Sequence, residues 1–163
     1  MYDAIAANRR NTFFLIAAMT AVLMLIGYAF GLYFGLGEGG LIIAGLIALL
    51  WIGISYFHGD SILLAASRAH EIQKADHPQL FNVVEELTIA AGLPMPKIYI
   101  IEDSAPNAFA TGRDPHNASV AITRGLLEKL NREELQGVMA HELSHIQNRD
   151  ILYATLIGAI AGA

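Results

Sequence analysis

Residues 11–37 contain no Asp, Glu, Lys or Arg, and neither do residues 39–59; Glu38 alone separates the two stretches. Each stretch is long enough for the ~20 residues that a helix needs to cross a hydrocarbon core of ~30 Å. Helices of soluble proteins seldom go so long without charge. The two runs therefore predict a transmembrane helical hairpin, with spans at about residues 12–34 and 39–57, in preference to a pair of buried core helices. A cleaved signal peptide fits less well, because its apolar region is only ~7–15 residues and a second span follows closely here.

The flanking charges set an orientation. Arg9 and Arg10 precede the first span, the turn around Glu38 has no Lys or Arg, and Arg68 and Lys74 follow the second. Positive residues favour the cytoplasmic side, which places the N-terminus and everything after His58 there. Tyr56 and Phe57 near the inner end of the second span suit the membrane interface, where amphipathic rings gather, or serve as plain span filler.

Over all 163 residues, 55% are hydrophobic and 15% charged, against roughly 25% charged in a typical soluble domain. Such a composition excludes a disordered tail or a nucleic-acid-binding arm. A net charge of −5 offers no electrostatic footprint for nucleic acid as a partner. With no cysteine, disulfides, Cys-ligated zinc, iron–sulfur clusters and thiol catalysis are also excluded. Most of the charge lies in residues 59–150, which hold 13 of the 15 acids and 8 of the 10 bases. The chain thus divides into a hairpin over 1–58, a water-soluble portion over 59–150, and an uncharged tail over 151–163 that reads as the opening of a third span.

Within the soluble portion, residues 60–74 read as a helix emerging from the membrane. Pro78 suits a first helical position, with Leu80, Phe81, Val84, Leu87 and Ala91 at helical spacing after it and Gly92 and Pro94 as the stop. Residues 97–102 (K-I-Y-I-I-E) and 118–123 (A-S-V-A-I-T) read as strands. Between them residues 104–117, rich in Pro, Asn, Asp and Gly, read as a loop with irregular extended pieces. A short helix follows over about 125–130. Asn131 then reads as an N-cap with Glu134 in capping-box position, opening a helix over about 132–149.

That helix carries His141-Glu142-Leu143-Ser144-His145, an H-E-x-x-H motif. Four helical residues turn the chain by about 400°, so both imidazoles lie on one face, one turn apart. The spacing lets them share one Zn²⁺. Glu142, about 100° further round, can reach a metal-activated water as general base without being a ligand itself. A surface histidine pair with no metal has the same spacing. His58, His70, His77 and His116 read as solvated or capping residues. Asp150, nine positions past His141 and about 180° away on a continued helix, cannot complete the metal site. It is expected to bond backbone or an arginine near the helix end.

Three blocks follow the two spans in order: G-L-P-M-P-K-I-Y-I-I at 92–101, P-N-A-F-A-T-G-R at 106–113 and H-E-L-S-H-I-Q-N-R-D at 141–150. Over essentially its whole length the chain resembles the HtpX family of membrane-bound zinc metalloproteases, relatives of the Ste24 CAAX-processing proteases. The resemblance implies an α+β fold: a two-helix transmembrane hairpin, then a mainly helical zincin-type metalloprotease domain with a small β-sheet, truncated at its C-terminus. It implies an ATP-independent endopeptidase of the bacterial cytoplasmic (inner) membrane, working in the bilayer on misfolded or damaged membrane proteins. By the same resemblance His141 and His145 hold one Zn²⁺ per subunit, and Glu142 is the catalytic base. Asn107, Ala108, Phe109 and Ala110 are implied as the substrate-binding segment, an edge strand that pairs with an extended peptide; a plain surface loop is the alternative there, and Asn107 is not read as catalytic.

In that family the third zinc ligand is a Glu from a helix beyond a further pair of spans, and no Glu follows Glu142 here. The expectation is therefore an N-terminal portion of a longer, active protease, inactive by itself. The other readings are a CAAX-type processing protease and a non-catalytic membrane adaptor.

Overall fold

The computed structural model describes residues 2–161. Two long helices come first, α1 (Tyr2–Tyr33) and α2 (Gly39–Ala66). They fold back on each other at a short link in which Gly35 and Gly37 adopt φ of 69° and 54°, conformations open to glycine at little steric cost. The two helices touch through small residues: a Cβ on Gly40 would lie 2.6 Å from the Gly31 Cα. Close backbone approach of this kind is how helices pack where no hydrophobic effect drives them together. Their outer faces are covered with bare apolar side chains; Phe13 and Leu25 are both 68% exposed and Leu49 is 69% exposed. A buried core pair would hide such side chains, so that alternative does not describe α1 and α2. Both are long and apolar enough to cross a membrane.

The remaining elements are β1 (Ala69–Glu71), α3 (Pro78–Ala91), β2 (Lys97–Ile101), β3 (Ala108–Asp114), β4 (Asn117–Thr123), α4 (Arg124–Leu127), α5 (Arg132–Asn148) and α6 (Ile151–Ala161). The strands form one mixed sheet in the order β1-β2-β4-β3, antiparallel except for the parallel β2–β4 pair. Alternation along the strands sorts their side chains onto two faces. Ile98, Ile100, Val120 and Ile122 join Leu80, Val83 and Val84 of α3 and Leu135, Met139, Leu143 and Ile146 of α5 in the main core. On the opposite face Tyr99, Ile101, Phe109 and Ala121 pack with Leu64 near the end of α2. The sheet is thereby clamped between α3 and α5 on one face and the base of the hairpin on the other. A mostly helical α+β chain with a small mixed sheet results.

Two segments differ from the sequence reading. The helix leaving the hairpin stops at Ala66, because Arg68 turns into the left-handed region (φ 52°). Residues 69–71 then add to the β2 edge as β1, with the Ile72 N–H continuing the ladder to the Ile98 carbonyl at 2.9 Å. Cross-strand pairing, a non-local gain, outweighs the helical continuation that local composition suggests. The expected loop at 104–117 contains a seven-residue strand, β3, hydrogen-bonded to β4. Its pairing is irregular at Gly112–Asp114, where Gly112 has φ 135° and a Cβ would collide with the Asn117 carbonyl. The turn is closed by Asp114, whose Oδ1 accepts the backbone N–H groups of His116 at 2.8 Å and Asn117 at 3.1 Å.

α6 is fastened to that strand by Thr155, which is 2% exposed. Its Oγ1 accepts the Gly112 N–H at 3.0 Å and lies 2.8 Å from Thr111 Oγ1. Nearby, Asn8 of α1 donates to the Asn148 carbonyl at 3.3 Å. The last turn of α5 is therefore held against the first helix of the hairpin.

Candidate metal centre

The helix that carries the motif begins with a complete capping box. Asn131 Oδ1 accepts the N–H groups of Glu133 at 2.9 Å and Glu134 at 3.0 Å, while Glu134 Oε2 accepts the Asn131 N–H at 2.9 Å. Glu133 and Glu134 in the first turn also favour the positive end of the helix dipole. Leu135, Met139, Leu143 and Ile146 form the buried stripe of α5, which fixes the rotation of the helix and turns His141 and His145 away from the core. Both imidazoles remain open to solvent, His141 exposed and His145 partly so.

The two rings converge. His141 Nε2 and His145 Nε2 lie 3.3 Å apart, with ring centroids at 4.8 Å and planes crossing at 85°. Two nitrogens each about 2.05 Å from one tetrahedral zinc stand about 3.3–3.4 Å apart. The pair thus has the separation that a shared ion requires, and the donor chemistry suits zinc. Among the described residues no third His, Cys, Asp or Glu joins them in a metal-binding group.

Asp150 takes a place that helical geometry alone does not give it. α5 ends at Asn148 and Arg149 adopts the left-handed conformation (φ 55°), so the chain reverses before Asp150. Its carboxylate comes back to His145, with Oδ2 2.9 Å from Nδ1. The expectation that Asp150 bonds backbone or an arginine is corrected accordingly. A carboxylate on Nδ1 fixes the tautomer that keeps a proton there and leaves the Nε2 lone pair free for a metal. The other oxygen, Oδ1, is buried with no hydrogen-bond partner among the described residues.

Glu142 is partly buried beside β3. Burial pushes its carboxyl above the usual glutamate range, partly offset by the nearby imidazoles of His145 and His141 and by the neighbouring Ala110 N–H. Ala110 belongs to β3, the last strand in the sheet order. The segment read as substrate-binding therefore lies next to the glutamate. Asn107 is exposed just before β3, tied to Thr123 by its N–H (2.9 Å to Oγ1) and its carbonyl (2.9 Å from the Thr123 N–H). Ala108 and Ala110 pack toward the face shared with α5, and Phe109 packs on the opposite face. Of the remaining histidines, His77 caps α3 by accepting the Leu80 N–H on Nδ1 at 3.3 Å; His58, His70 and His116 are exposed and away from the pair.

Comparison with known proteins follows the same lines. The family model described as Peptidase family M48 matches residues 74–162. A "Protease HtpX homolog" of Thermoanaerobacter pseudethanolicus is 46% identical over 162 residues, covering 99% of this chain and 54% of the relative. Another of the same name from Dictyoglomus turgidum is 48% identical over 161 residues, covering 99% of this chain and 53% of the relative. The chain thus spans about half the length of the curated relatives it matches. Among solved structures, the crystal structure of S. mikatae Ste24p is similar with a TM-score of 0.53 at 17% identity, over 99% of this chain and 38% of that one. That likeness shows a shared fold.

Proposed function

The chain belongs to peptidase family M48, and from this premise we propose that it forms the zinc-binding half of a membrane-bound endopeptidase. The observation that carries the reading is the 3.3 Å convergence of His141 and His145 Nε2 beside a partly buried glutamate and an edge strand. The exposed apolar faces of α1 and α2 support a bilayer as their surroundings. By the distribution of Arg and Lys the N-terminus and the site lie on the cytoplasmic side of a bacterial inner membrane. At that position the substrates within reach are misfolded or damaged membrane proteins.

His141 and His145 would hold zinc through Nε2, with Asp150 orienting His145 through Nδ1. When bound, the ion supplies Lewis acidity, which acidifies water and polarises a peptide carbonyl. Glu142 accepts the proton from the attacking water and passes it to the departing amine. Its raised proton affinity suits both halves of that transfer. The segment of Asn107, Ala108, Phe109 and Ala110 would take the substrate by strand addition along the outer edge of β3, with Asn107 itself tied back to Thr123 and small Ala side chains leaving room for the peptide.

The test uses the full-length protein in detergent with an unfolded substrate such as casein. Wild type is expected to cleave it with stoichiometric zinc bound and without ATP, and Glu142→Gln to lose cleavage by at least about a hundredfold, in line with the loss of a general base, while retaining the metal. A zinc-free protein, or one in which Glu142→Gln cleaves normally, overturns the reading.

A further inference from the structure

On the side of the domain that meets the hairpin lies a cavity of about 470 Å³, lined by Thr12 of α1, Tyr56 of α2, Arg113 and His116 of the β3–β4 hairpin, and Arg149 and Leu152 at the α5–α6 junction. This cavity does not include His141, Glu142 or His145. Its walls come from the two apolar helices on one side and from the polar domain on the other. Wherever α1 and α2 cross a bilayer, the cavity therefore opens at the boundary between hydrocarbon and water.

Two guanidinium groups dominate its charge. Arg113 is half-buried, its guanidinium stacked 5.3 Å from the Phe57 ring centroid, a contact that holds it in place and costs it none of its charge. Arg149 is exposed, and among the described residues no carboxylate pairs with it. The acid at this cavity, Asp114, is engaged in its own turn. Its Oδ1 accepts three N–H groups, from the backbone of His116 and Asn117 and from the Asn117 side chain; its Oδ2 accepts the Asn117 amide at 2.9 Å and stands 3.5 Å from Arg113 Nε. Burial works against the charged form, but those bonds and Arg113 prevail and hold the Asp114 carboxyl below the usual range. The nearest approach of the Arg113 guanidinium to that carboxylate is through Nε.

We propose that this cavity binds a phosphate group, supplied at this depth by the headgroup of an anionic lipid. Planar guanidinium groups match phosphate oxygens in pairs, and basic pockets between membrane helices at the cytoplasmic surface are suited to such headgroups. The apolar wall of Leu152 and Tyr56 lets the glycerol end of a lipid continue toward the acyl region. A bound headgroup would join α1, the β3–β4 turn and the α5–α6 junction. It would thus brace the chain reversal at Arg149 that delivers Asp150 to His145.

The proposal rests on the bilayer placement of α1 and α2 given above, and its test separates the two. The chain is first floated with phosphatidylcholine vesicles; failure to co-float overturns the membrane placement, and the lipid assignment with it. Lipid retention is then read by native mass spectrometry from detergent, with phosphatidylglycerol, phosphatidylcholine and inorganic phosphate in separate arms. One phosphatidylglycerol per chain is expected in preference to phosphatidylcholine, weakened about fivefold in Arg149→Gln and about thirtyfold in Arg113→Gln/Arg149→Gln, as two surface arginines contribute. Arg149 is exposed, so its single variant keeps the comparison available if the double variant folds poorly. Undiminished retention in Arg149→Gln, or equal retention of phosphatidylcholine, overturns the site. Displacement of the lipid by an equal concentration of inorganic phosphate assigns the site to a free anion and overturns the lipid source.

Discussion

The metal-site chemistry depends on which atoms of three side chains face one another. His141 and His145 are placed by helical periodicity alone, so their convergence was legible from a four-residue spacing. Asp150 was not, because its position depends on a left-handed turn at Arg149, a conformation that a non-glycine residue does not announce in sequence. Its contact with His145 Nδ1 carries a prediction. Asp150→Asn in the full-length protein keeps the size of the side chain but weakens the partner of the imidazole, and zinc affinity is expected to fall about 10–100-fold, read by competition with a chromogenic chelator. An unchanged affinity would show that the 2.9 Å contact does nothing for the metal. Glu142 carries a second prediction. Burial raises its carboxyl, and a base works only when deprotonated, so as pH falls it is lost earlier than an exposed glutamate would be. The acid limb of kcat/KM in the full-length protease is expected above the ordinary glutamate range. A limb within that range would contradict the role given to burial.

How the helices and strands hold these residues explains which parts of the fold could be read from the chain. α5 was legible to within a residue at its start because Asn131, Glu133 and Glu134 state its beginning locally, through hydrogen bonds spanning three residues. β3 was read from its own residues only as a loop with extended pieces, and as an edge strand only through the family resemblance, since Ala108 to Asp114 has little intrinsic strand preference and becomes a strand by pairing with β4 across a turn. The same contrast separates α3, bracketed by Pro78 and Gly92, from β1, which exists because β2 offers it an edge. A consequence follows for Asn131→Ala. Loss of the cap is expected to destabilise the domain by about 1 kcal/mol, measured by denaturant unfolding of the detergent-solubilised chain. Zinc affinity should stay unchanged, because His141 lies nearly three turns further along. A fall in affinity equal to the loss in stability would instead mean that the first turn and the histidines open together.

The chain as a whole combines two environments that need different physics. In the hairpin, glycine contacts bring helices together while apolar side chains face outward; in the domain, a core of Ile, Leu and Val between sheet and helices does the holding. The site stands on the second and is anchored to the first through the Asn8–Asn148 hydrogen bond. What the described residues assemble is a pair of converging imidazoles, with Asp150 on one of them. Two imidazoles hold the ion through two bonds where a catalytic site of this type uses three protein ligands, and metal affinity is steeply sensitive to ligand number. The 163-residue chain, purified with its hairpin, is therefore expected to bind zinc much more weakly than the full-length protease and to leave casein uncut even at saturating zinc. The informative control is co-expression of the second half of one of the longer HtpX homologues, which should restore both zinc retention and cleavage if a further ligand is all that separates them. Cleavage by the 163-residue chain alone, abolished by Glu142→Gln, would overturn this account. It would mean that His141, His145 and Glu142 suffice for peptide hydrolysis, and that the third ligand serves retention of the ion alone.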